Sequence, residues 1–190
     1  HHYYDGNVSG AARLGIREVS WSVDGWPVVS GEWQASYPFD IDGRDQQGAF
    51  PATLSGGASI AVDPDRGKVL DLPGNGAHVG FPVPVGKARS FAAWVKWNGG
   101  PAWQRVFDFG KDTNAFAMLT PMNHNGKLEF SIKNDGTQES LVAATALPAG
   151  SWHHVAVTIP MTGDSTLYLD GRPVASAELS IAPWELLASN

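Results

Sequence analysis

Between Gly150 and Val174 the chain alternates so regularly that few conformations remain open to it. Val155, Val157 and Ile159 alternate with Trp152, His154, Ala156 and Thr158, and beyond a turn at Thr162-Gly163-Asp164, Leu167 and Leu169 alternate with Thr166, Tyr168 and Asp170. Side chains that repeat every second residue share one face of a strand, so the two runs form an antiparallel hairpin with one apolar face. Asp170-Gly171 is a tight-turn dipeptide set before another short run, which predicts a third strand from Pro173 to Ala177. A meander of this kind needs a second sheet over its apolar face.

The earlier chain supplies one. Phe91, Ala93, Val95 and Trp97 share a face, Leu128, Phe130 and Ile132 alternate with Lys127, Glu129, Ser131 and Lys133, and Val106-Phe107-Asp108-Phe109 is apolar on nearly both sides. With 22 Gly and 13 Pro punctuating short aromatic and β-branched runs, no segment repeats apolar residues at helical spacing for three turns. The fold class is therefore all-β, a two-sheet antiparallel sandwich. The expected core is Trp94, Val95, Phe107, Phe109, Leu119, Leu128, Phe130, Val155, Val157, Leu167 and Leu169.

At 190 residues the chain is long enough to bury a full core. A net charge of −6, with 13 scattered Lys and Arg, argues against a nucleic-acid or anionic-membrane partner, which would need a basic patch. Cysteine is absent, which excludes disulfides and thiolate metal sites, and no run of about 18 apolar residues could span a bilayer. The first residue is not Met and no signal-like segment precedes it, as expected of a piece of a longer product.

Residues 1–33 differ in character from the rest of the chain. The run His2-Tyr3-Tyr4-Asp5, the strand Leu14-Gly15-Ile16-Arg17-Glu18-Val19 and the turn Trp21-Ser22-Val23-Asp24-Gly25-Trp26-Pro27-Val28 together resemble the end of the catalytic domain of family 43 glycoside hydrolases, chiefly the arabinan-degrading ones. That resemblance implies the last blade of a β-propeller over 1–33, with His2 where those enzymes place a cation-coordinating histidine; His1 and His2 equally fit the stub of a purification tag. None of that family's three catalytic carboxylates is implied here, because they belong to earlier blades.

From Phe39-Asp40-Ile41-Asp42-Gly43-Arg44-Asp45 through Phe91-Ala92-Ala93-Trp94-Val95-Lys96-Trp97 to Trp152-His153-His154-Val155-Ala156-Val157 and Leu167-Tyr168-Leu169-Asp170-Gly171, the chain is similar to concanavalin A-like, laminin G-like jelly rolls. The domain reading is thus a blade segment over 1–33 and a sandwich over 34–190. In the resembled family two further strands come after the segment matching Pro183-Trp184-Glu185-Leu186-Leu187, the last beside the domain's first strand. A second chain is expected to cover that edge, since unpaired strand edges invite pairing. The implied parent is a secreted polysaccharide hydrolase.

Asp40, Asp42 and Asp45 put three carboxylates within six residues, and the resemblance implies a calcium ion near this loop; Asp40 and Asp45, with His2, are the candidate ligands. Asp63-Pro64-Asp65 and Asp108 are weaker alternatives. A sugar site needs exposed aromatic rings beside amides or acids. Trp97-Asn98-Gly99-Gly100-Pro101-Ala102-Trp103 offers two tryptophans around a flexible loop, and Met122-Asn123-His124-Asn125 could face it, so Trp97, Asn98, Trp103 and His124 are the candidate residues. Tryptophan's tendency to burial favours the competing reading, in which both rings cap the core.

Catalysis by the sandwich itself has little support. His153 and His154 are adjacent on a strand and point to opposite faces, and neither a nucleophile with a neighbouring base nor a paired-glutamate strand motif is present. The expected function is an ancillary module, binding arabinan- or arabinoxylan-type plant polysaccharide or bracing a catalytic propeller carried in the parent or on a second chain. A protein-interaction or adhesion module without sugar affinity, and one chain of a split active arabinan hydrolase, remain as alternatives.

Overall fold

The computed structural model describes residues 35–45, 50–82, 86 and 88–186, and the backbone of 14–16, 19–21 and 27–29. In chain order the strands are β1 Leu14–Ile16, β2 Val19–Trp21, β3 Pro27–Val29, β4 Ala35–Tyr37, β5 Thr53–Ser55, β6 Ser59–Asp63, β7 Gly67–Asp71 and β8 His78–Gly80. They continue with β9 Ser90–Lys96, β10 Phe107–Asp112, β11 Ala115–Thr120, β12 Glu129–Asn134, β13 Thr137–Val142, β14 Trp152–Thr158, β15 Ser165–Leu169 and β16 Arg172–Ala177, and a 3₁₀ turn spans Pro183–Glu185.

Two sheets carry the fold, one in the order β16-β15-β14-β9-β1-β4 and one in the order β10-β11-β12-β13. All their pairings are antiparallel, which makes this a jelly-roll sandwich of the concanavalin A-like type. The predicted meander is present: Val155 lies opposite Leu169 and Val157 opposite Leu167, and the third strand begins one residue before the expected Pro173. Asp170 (φ 49°) and Gly171 (φ 76°) supply the two positive φ angles that a type I′ hairpin turn requires.

The inner faces meet in one core. Phe91 of β9 packs its ring 5.3 Å from both Phe107 and Phe109 of β10, joining the sheets. Phe107, Leu119, Leu128, Phe130, Val155, Val157 and Leu167 are buried as expected, with Val95, Phe109 and Leu169 packed against them. Trp94 is the exception. It shares its face with Lys96 and His154, its cross-strand partner, and lies on the outer side of the six-stranded sheet.

A hairpin tip covers that outer side. The Arg66 guanidinium lies 3.5 Å from the centre of the Trp94 ring, and the Asp63 carboxylate accepts hydrogen bonds from Trp152 Nε1 (2.9 Å) and Lys96 Nζ (3.0 Å). Desolvation pushes the Asp63 carboxyl up, but the hydrogen bonds from Trp152, Lys96 and the Asp65 N–H, with the Lys96 charge, outweigh it and hold the group at about 2. A carboxyl depressed in the folded state contributes stability above its unfolded value, and that contribution is lost as pH falls through the folded value. Between pH 5 and pH 2, Asp63→Asn should therefore lose Tm less steeply than the parent; parallel slopes would show that Asp63 carries no such contribution.

Strand β1 lies inside the six-stranded sheet. Gly15 lies opposite Ala92 of β9 on one side and Ser36 of β4 on the other, so residues 14–16 are a strand of the six-stranded sheet. β1 lies between β9 and β4, and β4 is the last strand of the sheet. β2 and β3 form a separate two-stranded hairpin.

Candidate functional site

The outward face of the four-stranded sheet carries the most concentrated chemistry. Register sets three cross-strand rows: Gly110, Phe116, Lys133 and Gln138; Asp108, Met118, Ser131 and Ser140; Thr120, Glu129 and Val142. Arg105, Asp108, Lys111, Asp112, Phe116 and Met118 line an open groove of about 430 Å³ along this face. Phe116 is an outward residue of β11, alternating with the core residues Ala117 and Leu119, so its ring is available to the groove.

Beside Arg105 sits an aromatic pair. Trp103 and His124 stack with ring centroids 5.8 Å apart and planes at 29°. Trp103 is 37% exposed, unusual for a residue that buries most of its area elsewhere. Its backbone is left-handed (φ 69°), a conformation that costs a bulky residue on the order of 1–3 kcal/mol. The Trp103 N–H donates to Met122 O at 2.8 Å, and Arg105 Nη1 donates to the Trp103 carbonyl. Arg105 also pairs with Asp108 (3.2 Å), linking the aromatic end to the groove wall.

A buried carboxylate holds the other side of the pair in place. Glu129, 6% exposed, accepts from Asn123 Nδ2 (2.6 Å), Ser131 Oγ (2.5 Å) and Ser140 Oγ (3.0 Å). Asn123 Oδ1 in turn accepts from the N–H groups of Asn125 (2.8 Å) and Lys127 (3.1 Å), which shapes the 123–127 loop that presents His124. Glu129 thus positions His124 through Asn123.

The structure separates the two tryptophans that the sequence treated alike. Trp97 packs against the core and its indole N–H donates to Gln104 Oε1 at 2.7 Å, so it caps the sandwich; Asn98 is exposed beside it. Trp103 and His124 are brought together. Arg105, Phe116, Asn123 and Glu129 were not singled out from sequence, since Glu129 alternates with core residues and reads as a solvated position.

In the acidic loop two carboxylates have local partners. Asp42 turns onto Arg44, accepting from its N–H (2.8 Å) and pairing with Nε (2.9 Å), while Asp45, 3% exposed, accepts from the Ser36 N–H at 2.7 Å. Asp40 is half-buried. Among the described residues no group of three or more His, Cys, Asp or Glu side chains could hold a metal ion. Asp63 and Asp108 are engaged with Lys96 and Arg105, and His2 lies outside the described residues. Asp45 also acts on Tyr37, whose hydroxyl burial, aided by that carboxylate's charge, raises to about 12.

One arrangement was invisible in the sequence. Ser151 Oγ lies 2.9 Å from His153 Nε2, and His153 Nδ1 lies 2.8 Å from Asp170 Oδ2. Desolvation raises the Asp170 carboxyl, but hydrogen bonds from the His153 ring and the His154 N–H, with the histidine charges, outweigh it and lower it. Although the order is that of a nucleophile relay, none of the three lines the groove, and Asp170 is engaged with the β14 backbone on both its oxygen and its N–H. The line braces the start of β14 against the β15–β16 turn.

Comparison with known proteins agrees with this architecture. Among curated proteins no sequence matches. Domain 4 of AbnA, a GH43 extracellular arabinanase from Geobacillus stearothermophilus solved in complex with arabinotriose, superposes with a TM-score of 0.67 at 24% identity, over 80% of this chain and 77% of that one. The binding domain of Paraclostridial mosquitocidal protein 1 superposes with a TM-score of 0.51 at 12% identity, over 87% of this chain and 40% of that one. At these identities the two likenesses speak to fold alone. Residues 73–189 match the Laminin_G_3 family, described as concanavalin A-like lectin/glucanases, and with more than half of its length so matched the chain belongs to that superfamily.

Proposed function

We propose that this chain is an ancillary sugar-binding module, without catalysis of its own, and that the exposed pair Trp103 and His124, with Arg105 and Asp108 beside it, is its site. The observation that carries the reading is the exposed Trp103–His124 stack held beside Arg105, whose guanidinium also pairs with Asp108 in the wall of the neighbouring groove. Sugar rings present C–H faces that pack on aromatic rings and hydroxyls that pair with acids and guanidinium groups, and this site offers both. The arabinotriose bound by the structurally similar arabinanase domain, together with the family 43 resemblance of 2–28, supports arabinose-containing polysaccharide as the ligand and a secreted glycoside hydrolase as the parent.

Titration with arabinan and arabinoxylan fragments should quench tryptophan fluorescence. Trp103→Ala should abolish most of the quench and weaken binding about tenfold or more, a loss of roughly 1.4 kcal/mol or greater. Trp184→Phe, which replaces another exposed indole, should leave affinity unchanged. Unchanged affinity in Trp103→Ala would move the site elsewhere, and no response to any glycan would favour a protein-interaction module.

A further inference from the structure

We infer that Asp108 decides what the site accepts, turning Arg105 from an anchor for acidic groups into a reader of sugar hydroxyls; the inference rests on the sugar-binding reading. Two bonds fix the guanidinium. Nε donates to Asp108 Oδ2 at 3.2 Å, and Nη1 donates to the Trp103 carbonyl. Its central carbon lies 6.0 Å from the centre of the Trp103 ring, so a sugar packed on that ring comes within reach of it. A guanidinium has five N–H donors, and these bonds use two of them. The pair joins through one bond rather than a fork, and among the described residues Arg105 Nη2 and Asp108 Oδ1 take no hydrogen bond. With the two side chains 36% and 45% exposed, a donor nitrogen and an acceptor oxygen are left for a ligand.

Chemistry separates the sugars that could meet this pair. A hydroxyl both accepts and donates, so it can take an N–H of Arg105 and give its own proton to Asp108. The carboxylate of a uronic acid only accepts: it would gain Arg105 but meet the remaining oxygen of Asp108 as a second negative charge. Without Asp108 the balance reverses, because an unpartnered guanidinium takes a carboxylate through two parallel bonds. Asp112 does not stand in for it. Its Oδ1 accepts from the N–H groups of Asn114 (2.7 Å) and Ala115 (3.2 Å) at the β10–β11 turn, where Lys111 also lies, and among the described residues the carboxylate paired with Arg105 is Asp108. Exposed ion pairs contribute little to stability, so the fold does not depend on Asp108, whereas the choice of sugar does.

The test is calorimetric titration of the intact chain with arabinotriose and with trigalacturonate at pH 7, repeated on Asp108→Asn. The parent should bind trigalacturonate about tenfold more weakly than arabinotriose, or weaker still. Asp108→Asn keeps the side chain's shape and an accepting oxygen but removes its charge. It should raise affinity for trigalacturonate about tenfold, an effect that added salt reduces, and change affinity for arabinotriose by no more than about threefold. Adding Arg105→Gln to Asp108→Asn should return trigalacturonate to weak binding, which a mere change of net charge would not do. Equal parental affinity for the two sugars, or an Asp108→Asn protein with the parental preference, would overturn the inference with sugar binding intact. No binding of arabinotriose by the parent would instead remove the sugar-binding reading itself. Should Asp108→Asn fail to fold, the same gain is expected of Asp108→Ser.

Discussion

Phe91→Ala is expected to destabilise the protein by about 3–5 kcal/mol, the cost of removing a fully buried aromatic ring from a core that cannot collapse around the gap. Phe91 is 0% exposed and touches Phe107 and Phe109 of the facing sheet, while its own strand is paired on both sides, to Val157 of β14 and to Ile16 of β1. The backbone around the cavity is therefore held by ladders that resist inward movement. Domains of ordinary stability hold about 5–15 kcal/mol in total, so this substitution removes a large share of it. Urea unfolding should show a lowered midpoint with an unchanged slope. Val62→Ala, at a side chain 80% exposed, should change stability by no more than about 0.5 kcal/mol. A loss below about 1 kcal/mol for Phe91→Ala, under the range for such truncations, would mean that the two sheets are not joined through this ring.

The sandwich was legible because alternation is a local signal. Val155, Val157, Leu167 and Leu169 declare their face within a few residues, and Asp170-Gly171 declares its turn. Trp94 shows where that signal is overridden: its size suggested the core, but the parity it shares with Lys96 put it outside, where Arg66, 28 residues earlier, covers it. Nothing near Trp94 in sequence announces that cover. Trp97 and Trp103 flank the loop symmetrically in sequence, and only the path of the backbone, with φ positive at Trp103, sends one inward and one outward. Strand β1 was set apart because its neighbours resemble another domain, yet pairing is decided by whichever backbone lies open beside it. Ser151, His153 and Asp170 became a line only when register set β14 beside β15 and carried the Asp170 turn back to the start of β14.

The second large effect concerns Glu129, whose removal should be felt in both stability and binding. Three donors converge on its carboxylate, and they do not fare alike when it is gone. Ser131 can donate instead to Ser140, 2.8 Å away, and half-buried Ser140 can turn its O–H to water, but Asn123, 3% exposed, would keep a buried amide N–H with no acceptor. One stranded donor costs about 1–3 kcal/mol, which sets the expected loss for Glu129→Ala. Because Asn123 Oδ1 organises the loop bearing His124, the same substitution should also loosen the Trp103–His124 stack and weaken glycan binding, although Glu129 itself lies beneath the surface. Glu129→Gln should restore most of both, since the amide oxygen can face Asn123 while its NH₂ donates to the hydroxyls, which can turn to accept. Denaturant midpoints and fluorescence titrations on the two variants separate the contributions: a Glu129→Ala protein that unfolds earlier yet binds glycan with parental affinity would show that the loop keeps its shape without the carboxylate, and that Glu129 serves the fold alone.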